Sequence, residues 1–219
     1  MIEQIQSSFQ ESRNPEIAPA MEAYMKNHFK FLGIKSPDRR ELARQFGPEL
    51  RKWNQQELVD LCLQLWKLEE REYQYLALDI LKWKYKKPRE EDLQWIKELI
   101  VSKSWWDTVD LLASHTLGLY LISFPEKRVS ISNDWIQSDH LWLQRSTLIF
   151  QLKYKNVTDT DLLFLNILRL NSNRDFFIQK AIGWSLRELS KTDKRLVQQF
   201  LEAHPEIDKL ARREASKYL

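Results

Sequence analysis

The chain has 219 residues, 43% of them hydrophobic and 30% charged, with a formal net charge of +3. This supports a real core and, with a mean hydropathy of −0.54 and no apolar run of about 20 residues, argues against a membrane span. The single cysteine excludes an intramolecular disulfide, and the charge alone is too modest to prove a polyanionic partner.

In chain order, the opening "MIEQIQSSFQESRNPEI" is polar and does not read as a signal peptide, so a cytoplasmic location is expected. "LVDLCLQLWKLE" is apolar at Leu58, Leu61, Cys62, Leu65 and Leu68, the spacing of one helical face. Cys62 therefore reads as core rather than as a nucleophile. "EYQYLALDILKWKYKK" follows and is stopped by Pro88. "REEDLQWIKELIV" carries acidic residues in its first turn, as a helix N-terminus favours. Next come "SWWDTVDLLASHTLGLYLI", "SNDWIQSDHLWLQRSTLIFQLKY", "TDTDLLFLNILRLN", "DFFIQKAIGWSLRELSK" and "KRLVQQFLEAHPEIDKLARREASKYL", separated by Pro, Asn, Ser and Asp. No segment alternates as a strand does, so the fold class is all-α.

Helices also recur in pairs. "EYQYLALDIL", "WWDTVDLLAS", "WLQRSTLIFQ" and "FIQKAIGWSL" stand at a period of roughly 33 to 37 residues, each preceded by another amphipathic helix. A two-helix repeat of this length predicts a HEAT-like or armadillo-type α-α solenoid whose second helices line a concave face. No linker is evident, and residues 1–219 read as a single domain.

Three features bear on function. In "SWWDTVD", Ser104 reads as an N-cap and Asp107 as its capping-box partner. Val109, Leu112, Ala113, Thr116, Leu117 and Tyr120 form the core stripe, which Trp105 joins. Trp106 and Asp110, four apart, are neighbours on its flank. Spacing alone leans to a structural role for this pair. In "FFIQKAIGWSLRELSK" the core face is Ile178, Ala181, Ile182, Ser185 and Leu189, and Trp184 lies off it among Lys180, Arg187 and Lys191. Such a cation-ringed aromatic suits a nucleic-acid backbone, and suits a half-buried tryptophan among solvated lysines equally well. Arg145 shares a face with Leu141, Leu148 and Leu152, where a guanidinium requires a partner. Spacing leaves open a salt bridge to a neighbouring repeat, with Asp110 as one candidate, or a phosphate. Basic and aromatic residues also interleave at Lys82–Lys87 and Lys153–Lys155. Four glycines supply no phosphate-cradling loop, and His28, His115, His140 and His204 lack metal-ligand spacing.

Taken together, "MEAYMKNHFKFLGIKSPDRR", "SWWDTVDLLASHTLG", "QRSTLIFQLKYK" and "FIQKAIGWSLRELSK" resemble, in that order and at repeat-compatible spacing, the AlkD-like DNA alkylation repair glycosylases. These are bacterial HEAT-like repeat proteins that excise alkylated bases. The resemblance runs nearly the whole chain. It implies catalytic roles for Asp110, Trp106 and Trp184. It also implies DNA-binding roles for Arg145 and Tyr24 and, less directly, for Lys153, Lys180, Arg187 and Lys191. The implied substrate is double-stranded DNA carrying N3- or N7-alkylpurines, cleaved by a monomeric, monofunctional enzyme without a cofactor, leaving an abasic site and without base flipping. A base alkylated at N3 or N7 is already cationic and needs no general acid. What remains is to stabilise an oxocarbenium-like sugar and deliver water, a task suited to a carboxylate between two tryptophan faces. The alternatives are a non-catalytic DNA-binding repeat protein that recognises distorted or branched duplex, and a protein-interaction scaffold.

Overall fold

The computed structural model describes all 219 residues and contains helices and turns but no strand. The chain is all-α. No helix is long and apolar enough to cross a membrane. The chain divides into two compact units, Met1–Lys87 and Pro88–Leu219.

The first unit contains α1 (Ile2–Glu11), α2 (Ala18–Tyr24), α3 (Ser36–Leu50), α4 (Gln55–Lys67) and α5 (Arg71–Lys84). Asn54 starts α4 with a complete capping box, its side chain accepting from Glu57 N while the Glu57 carboxylate accepts from Asn54 N. The predicted α4 stripe of Leu58, Leu61, Cys62 and Leu65 is buried, and Leu68 is half-buried just past the helix end. Burial raises the Cys62 thiol well above its ordinary value, as expected of a core cysteine. Glu72, in the first turn of α5, accepts from the backbone N–H groups of Leu32, Gly33 and Ile34, which fastens the segment after α2 onto α5. Gly33 adopts a φ of 86° there, a left-handed conformation that disfavours other residues.

The second unit begins with α6 (Asp92–Val101). The next helix runs as α7 (Trp106–Leu111), a π-helical stretch (Leu112–Leu117) and α8 (Gly118–Ser123). Then come α9 (Arg128–Gln137), α10 (Leu141–Ile149), α11 (Thr160–Leu170), α12 (Phe176–Ser190), α13 (Lys194–Ala203) and α14 (Lys209–Ala215). Within this unit the second helix of each pair packs on the second helix of the next: the π stretch against α10, α10 against α12, and α12 against α14. Such stacking is the arrangement of an α-α solenoid. The core stripe of the helix running from α7 to α8, Val109, Leu112, Ala113, Thr116, Leu117 and Tyr120, is buried, as is the α12 face of Ile178, Ala181, Ile182, Ser185 and Leu189.

Two sequence expectations need correction. Two of the quoted segments are not single helices but hold two each: "KRLVQQFLEAHPEIDKLARREASKYL" divides into α13 and α14, and "SNDWIQSDHLWLQRSTLIFQLKY" into α9 and α10, separated at Ser138–His140, where Asp139 takes a φ of 54°. The His140 side chain then accepts from Leu143 N and caps α10. Nor is Ser104 an N-cap. The N-cap of α7 is Trp105, with no side-chain cap, and Ser104 Oγ donates instead to the Ile100 carbonyl near the end of α6 at 2.6 Å. The reason is visible in the neighbouring pairs. Gln74 Nε2 donates to the Leu65, Trp66 and Leu68 carbonyls, Gln144 Nε2 to Ile136, and Gln179 Nε2 to Asn171 and Asn173. Each buried amide closes the C-terminal carbonyls of the preceding helix, which have no intrahelical partner. Asp107 stands at the equivalent position of its pair, and a carboxylate cannot donate. Ser104 supplies the donor in its place.

Candidate functional site

The second unit holds a cleft of about 420 Å³ lined by Trp106, Asp110, Arg145, Phe176, Phe177, Lys180, Trp184, Arg187, Glu214 and Lys217. α7, α10, α12 and α14 supply these residues, with Lys217 just beyond α14. Trp106, Asp110, Arg145, Lys180, Trp184 and Arg187, all singled out from the sequence, are brought together. Trp106 and Trp184 are half-buried. Four cations outnumber two carboxylates along the lining.

An aromatic triad adjoins the cleft through Phe177, which also lines it. Trp105, Trp142 and Phe177 have ring centroids 5.0–5.7 Å apart and tilted or edge-on geometry. One ring comes from each of three successive pairs, at the same position of the repeat. Trp105, half-buried rather than core, packs against Trp142 and Phe177, while the next residue, Trp106, lines the opening.

Arg145 bridges two of the elements. Its Nε donates to Asp110 Oδ1 at 2.7 Å and its Nη2 to Asp110 Oδ2 at 2.8 Å. Its Nη1 donates to the Phe177 carbonyl. Of the two partners that spacing left open for this guanidinium, the ion pair with Asp110 is the one present in the structure. A bidentate pair fixes both the plane and the position of the carboxylate. Burial pushes the Asp110 carboxyl above its ordinary value. The Arg145 hydrogen bonds and charge oppose that rise, and Asp107 adds a smaller push upward.

Two residues after Asp110, at Leu112, the helix widens into the π stretch. Ser114 Oγ donates to the Asp110 carbonyl at 2.6 Å, supplying a side-chain donor where the backbone ladder changes. Gly118 lies where a Cβ would stand 2.6 Å from the Phe150 carbonyl, and Tyr154 donates its hydroxyl to the Gly118 carbonyl at 2.6 Å. The widened helix is thereby held close to α10, the helix that carries Arg145.

The other singled-out cations are placed as follows. Lys180 and Arg187 pair with Glu214 at 3.1 Å and 3.3 Å. Lys191, exposed, pairs with Glu188 at 2.6 Å. Lys153 is exposed in the turn after α10. In the first unit, Tyr24 ends α2 with 68% of its surface exposed. Sequence reasoning passed over Glu214, Lys217, Phe176 and Phe177. Glu214 and Lys217 share a local i,i+3 pairing, but nothing in the sequence ties them to Lys180 and Arg187, some thirty residues earlier.

The model of a family described as DNA alkylation repair enzyme matches residues 5–219. The chain is similar to a solved structure of a predicted DNA alkylation repair enzyme from Enterococcus faecalis. The two share 35% sequence identity over 94% of this chain and 96% of the other, with a TM-score of 0.85. No curated protein gave a significant match.

Proposed function

The chain belongs to the DNA alkylation repair enzyme family, and on that premise we propose that it is a DNA glycosylase. It hydrolyses the N-glycosidic bond of cationic N3- or N7-alkylated purines in double-stranded DNA and leaves an abasic site. The observation that carries this reading is the convergence of Asp110, Arg145, Trp106 and Trp184 on one cleft.

Alkylation has already made the base a good leaving group, so the protein stabilises what departure creates. As the glycosidic bond breaks, positive charge grows on the sugar, and the Asp110 carboxylate attracts it. A carboxylate offers about four lone-pair directions, of which Arg145 takes two. The others serve to orient a water and accept its proton as it attacks the anomeric carbon. Trp106 and Trp184 present π faces to the cationic base and sugar, with attraction of about 0.5–2 kcal/mol each.

Arg145 has two roles in this proposal. It holds Asp110 in place, and its N–H groups not engaged by Asp110 or Phe177 contact a DNA phosphate. Lys180, Arg187, Lys191 and Lys153 contact the DNA around the lesion, and Tyr24, in the first unit, is a separate DNA contact. Because the lesion's own charge and lability provide selectivity, the base stays in the duplex and bulky cationic adducts are accepted. No cofactor takes part, the chain acts as a monomer, and no lysine serves as a Schiff-base nucleophile.

The decisive measurement is release of 7-methylguanine from duplex DNA under single-turnover conditions. We expect release by the wild-type chain and a loss of roughly 100-fold or more in Asp110→Asn. Full activity in that variant sinks the carboxylate role. A second reading, distorted-duplex recognition without chemistry, draws on the Asp110–Arg145 pair serving as a purely structural bridge. It predicts duplex binding with no excised base.

A further inference from the structure

The far wall of the cleft is built by α14, which the repeat pattern did not mark as functional. α14 reaches it because α12 presents Gly183 at the crossing. A Cβ on Gly183 would stand 2.5 Å from Glu214 Cβ and 2.6 Å from the Ala211 carbonyl, so only glycine permits this approach. The contact delivers Glu214 between Lys180 at 3.1 Å, Arg187 at 3.3 Å and Lys217 at 2.8 Å.

The order of burial within this cluster is informative. The Glu214 side chain is 7% exposed, whereas those of Lys180, Arg187 and Lys217 are 35%, 24% and 48% exposed. The anion sits behind and the cations in front, facing the cleft they line. Three like charges gathered at one point repel one another unless an anion compensates them. Each also keeps N–H donors beyond the one given to Glu214, since an ammonium has three and a guanidinium five. The carboxylate is held down to about 2 by Lys217 and Lys180, so it remains charged throughout the neutral range.

We propose that Glu214 is a positioning residue that preassembles Lys180, Arg187 and Lys217 into a three-cation receptor for a DNA backbone phosphate at the rim of the cleft. The receptor acts through geometry: the cations are ordered before DNA arrives, so binding does not have to restrict three long side chains at once. This inference rests on the reading of the cleft as the DNA site.

The test exploits a conflict between geometry and net charge. Glu214→Gln makes the chain one unit more positive, and unordered cations would then hold DNA as tightly as before or tighter. A preassembled receptor instead predicts about tenfold weaker binding of an undamaged 20-base-pair duplex, the scale of one lost charge-assisted hydrogen bond. The single-turnover rate of 7-methylguanine release at saturating DNA should stay within about twofold, which a general structural fault would not permit. In a double-mutant cycle, adding Arg187→Met to Glu214→Gln should weaken binding by less than Arg187→Met does alone. Unchanged or tighter binding in folded Glu214→Gln, or strict additivity in the cycle, overturns the proposal.

Should Glu214→Gln fail to fold by circular dichroism, Lys217→Met leaves the buried carboxylate in place. It should weaken duplex binding several-fold, and unchanged binding overturns the receptor. Wild-type protein that binds duplex but releases no base overturns the glycosylase reading and leaves the receptor to be judged by the binding comparisons. Wild-type protein with no duplex affinity overturns both.

Discussion

At the scale of single residues, Asp110 and Arg145 act as a unit. Burial alone would favour a neutral carboxyl, and a bidentate guanidinium favours the anion. Burial is the larger influence, so Asp110 titrates above the ordinary 3.8. The ionised form is the one that attracts a developing oxocarbenium ion, and protonation removes it. Base release should therefore fail on the acid side at a pH higher than an ordinary aspartate would give. A single-turnover pH profile checks this, and an acid limb at or below 3.8 contradicts it. Arg145→Met, which removes the opposing influence, should move the limb further up. The sequence had placed Trp106 beside Asp110 because a four-residue separation is a local geometric fact. It left two partners open for Arg145 because its partner is 35 residues away, and no local rule selects among distant carboxylates.

At the scale of elements, the repeat is defined by polar positions as much as by its apolar stripe. Gln74, Gln144 and Gln179 hold one position and close the end of the preceding helix. Ser104 takes over that task from Asp107 in the pair that carries the catalytic candidates. Gln179 is almost fully buried, and Gln179→Met keeps its volume while removing the donor to Asn171 and Asn173. We expect a loss of about 1–3 kcal/mol, the penalty of unpaired buried carbonyls, measurable by urea unfolding. No change in the midpoint would show that the amide clasp contributes nothing. The stripe at Val109–Tyr120 was readable from periodicity, whereas the π turn within it was not. Both windings bury the same six residues, so the pattern does not distinguish them.

At the scale of the molecule, a net charge of +3 conceals an uneven distribution. The cleft lining carries four cations against two carboxylates, and Lys153 and Lys191 are exposed outside it. If these cations neutralise phosphates, the logarithm of the duplex binding constant should fall linearly with the logarithm of salt concentration. Replacing Lys153, Lys180, Arg187 and Lys191 with Met together should reduce that slope by about three to four. An unaltered slope would assign these residues to ordinary solvated surface. The pairings of Lys180 and Arg187 with the buried Glu214 do not cancel this expectation, because each cation keeps further N–H donors for a phosphate, and the exposed Lys191–Glu188 pair is weak and exchanges readily.

By itself the sequence determined the all-α class, the pairing of helices, the buried stripes and the flank positions of Trp106 and Trp184. All of these follow from periodicities of 3.6 residues within a helix and about 35 between repeats, which are properties of neighbouring residues. The tertiary structure decided that Arg145 engages Asp110, that Ser104 serves α6 rather than α7, and that Glu214 and Lys217 complete the cleft. Each of these depends on which elements pack together, and on a close approach such as that at Gly183. Packing partners far apart in the chain are selected by the whole fold, so local spacing carries no record of them.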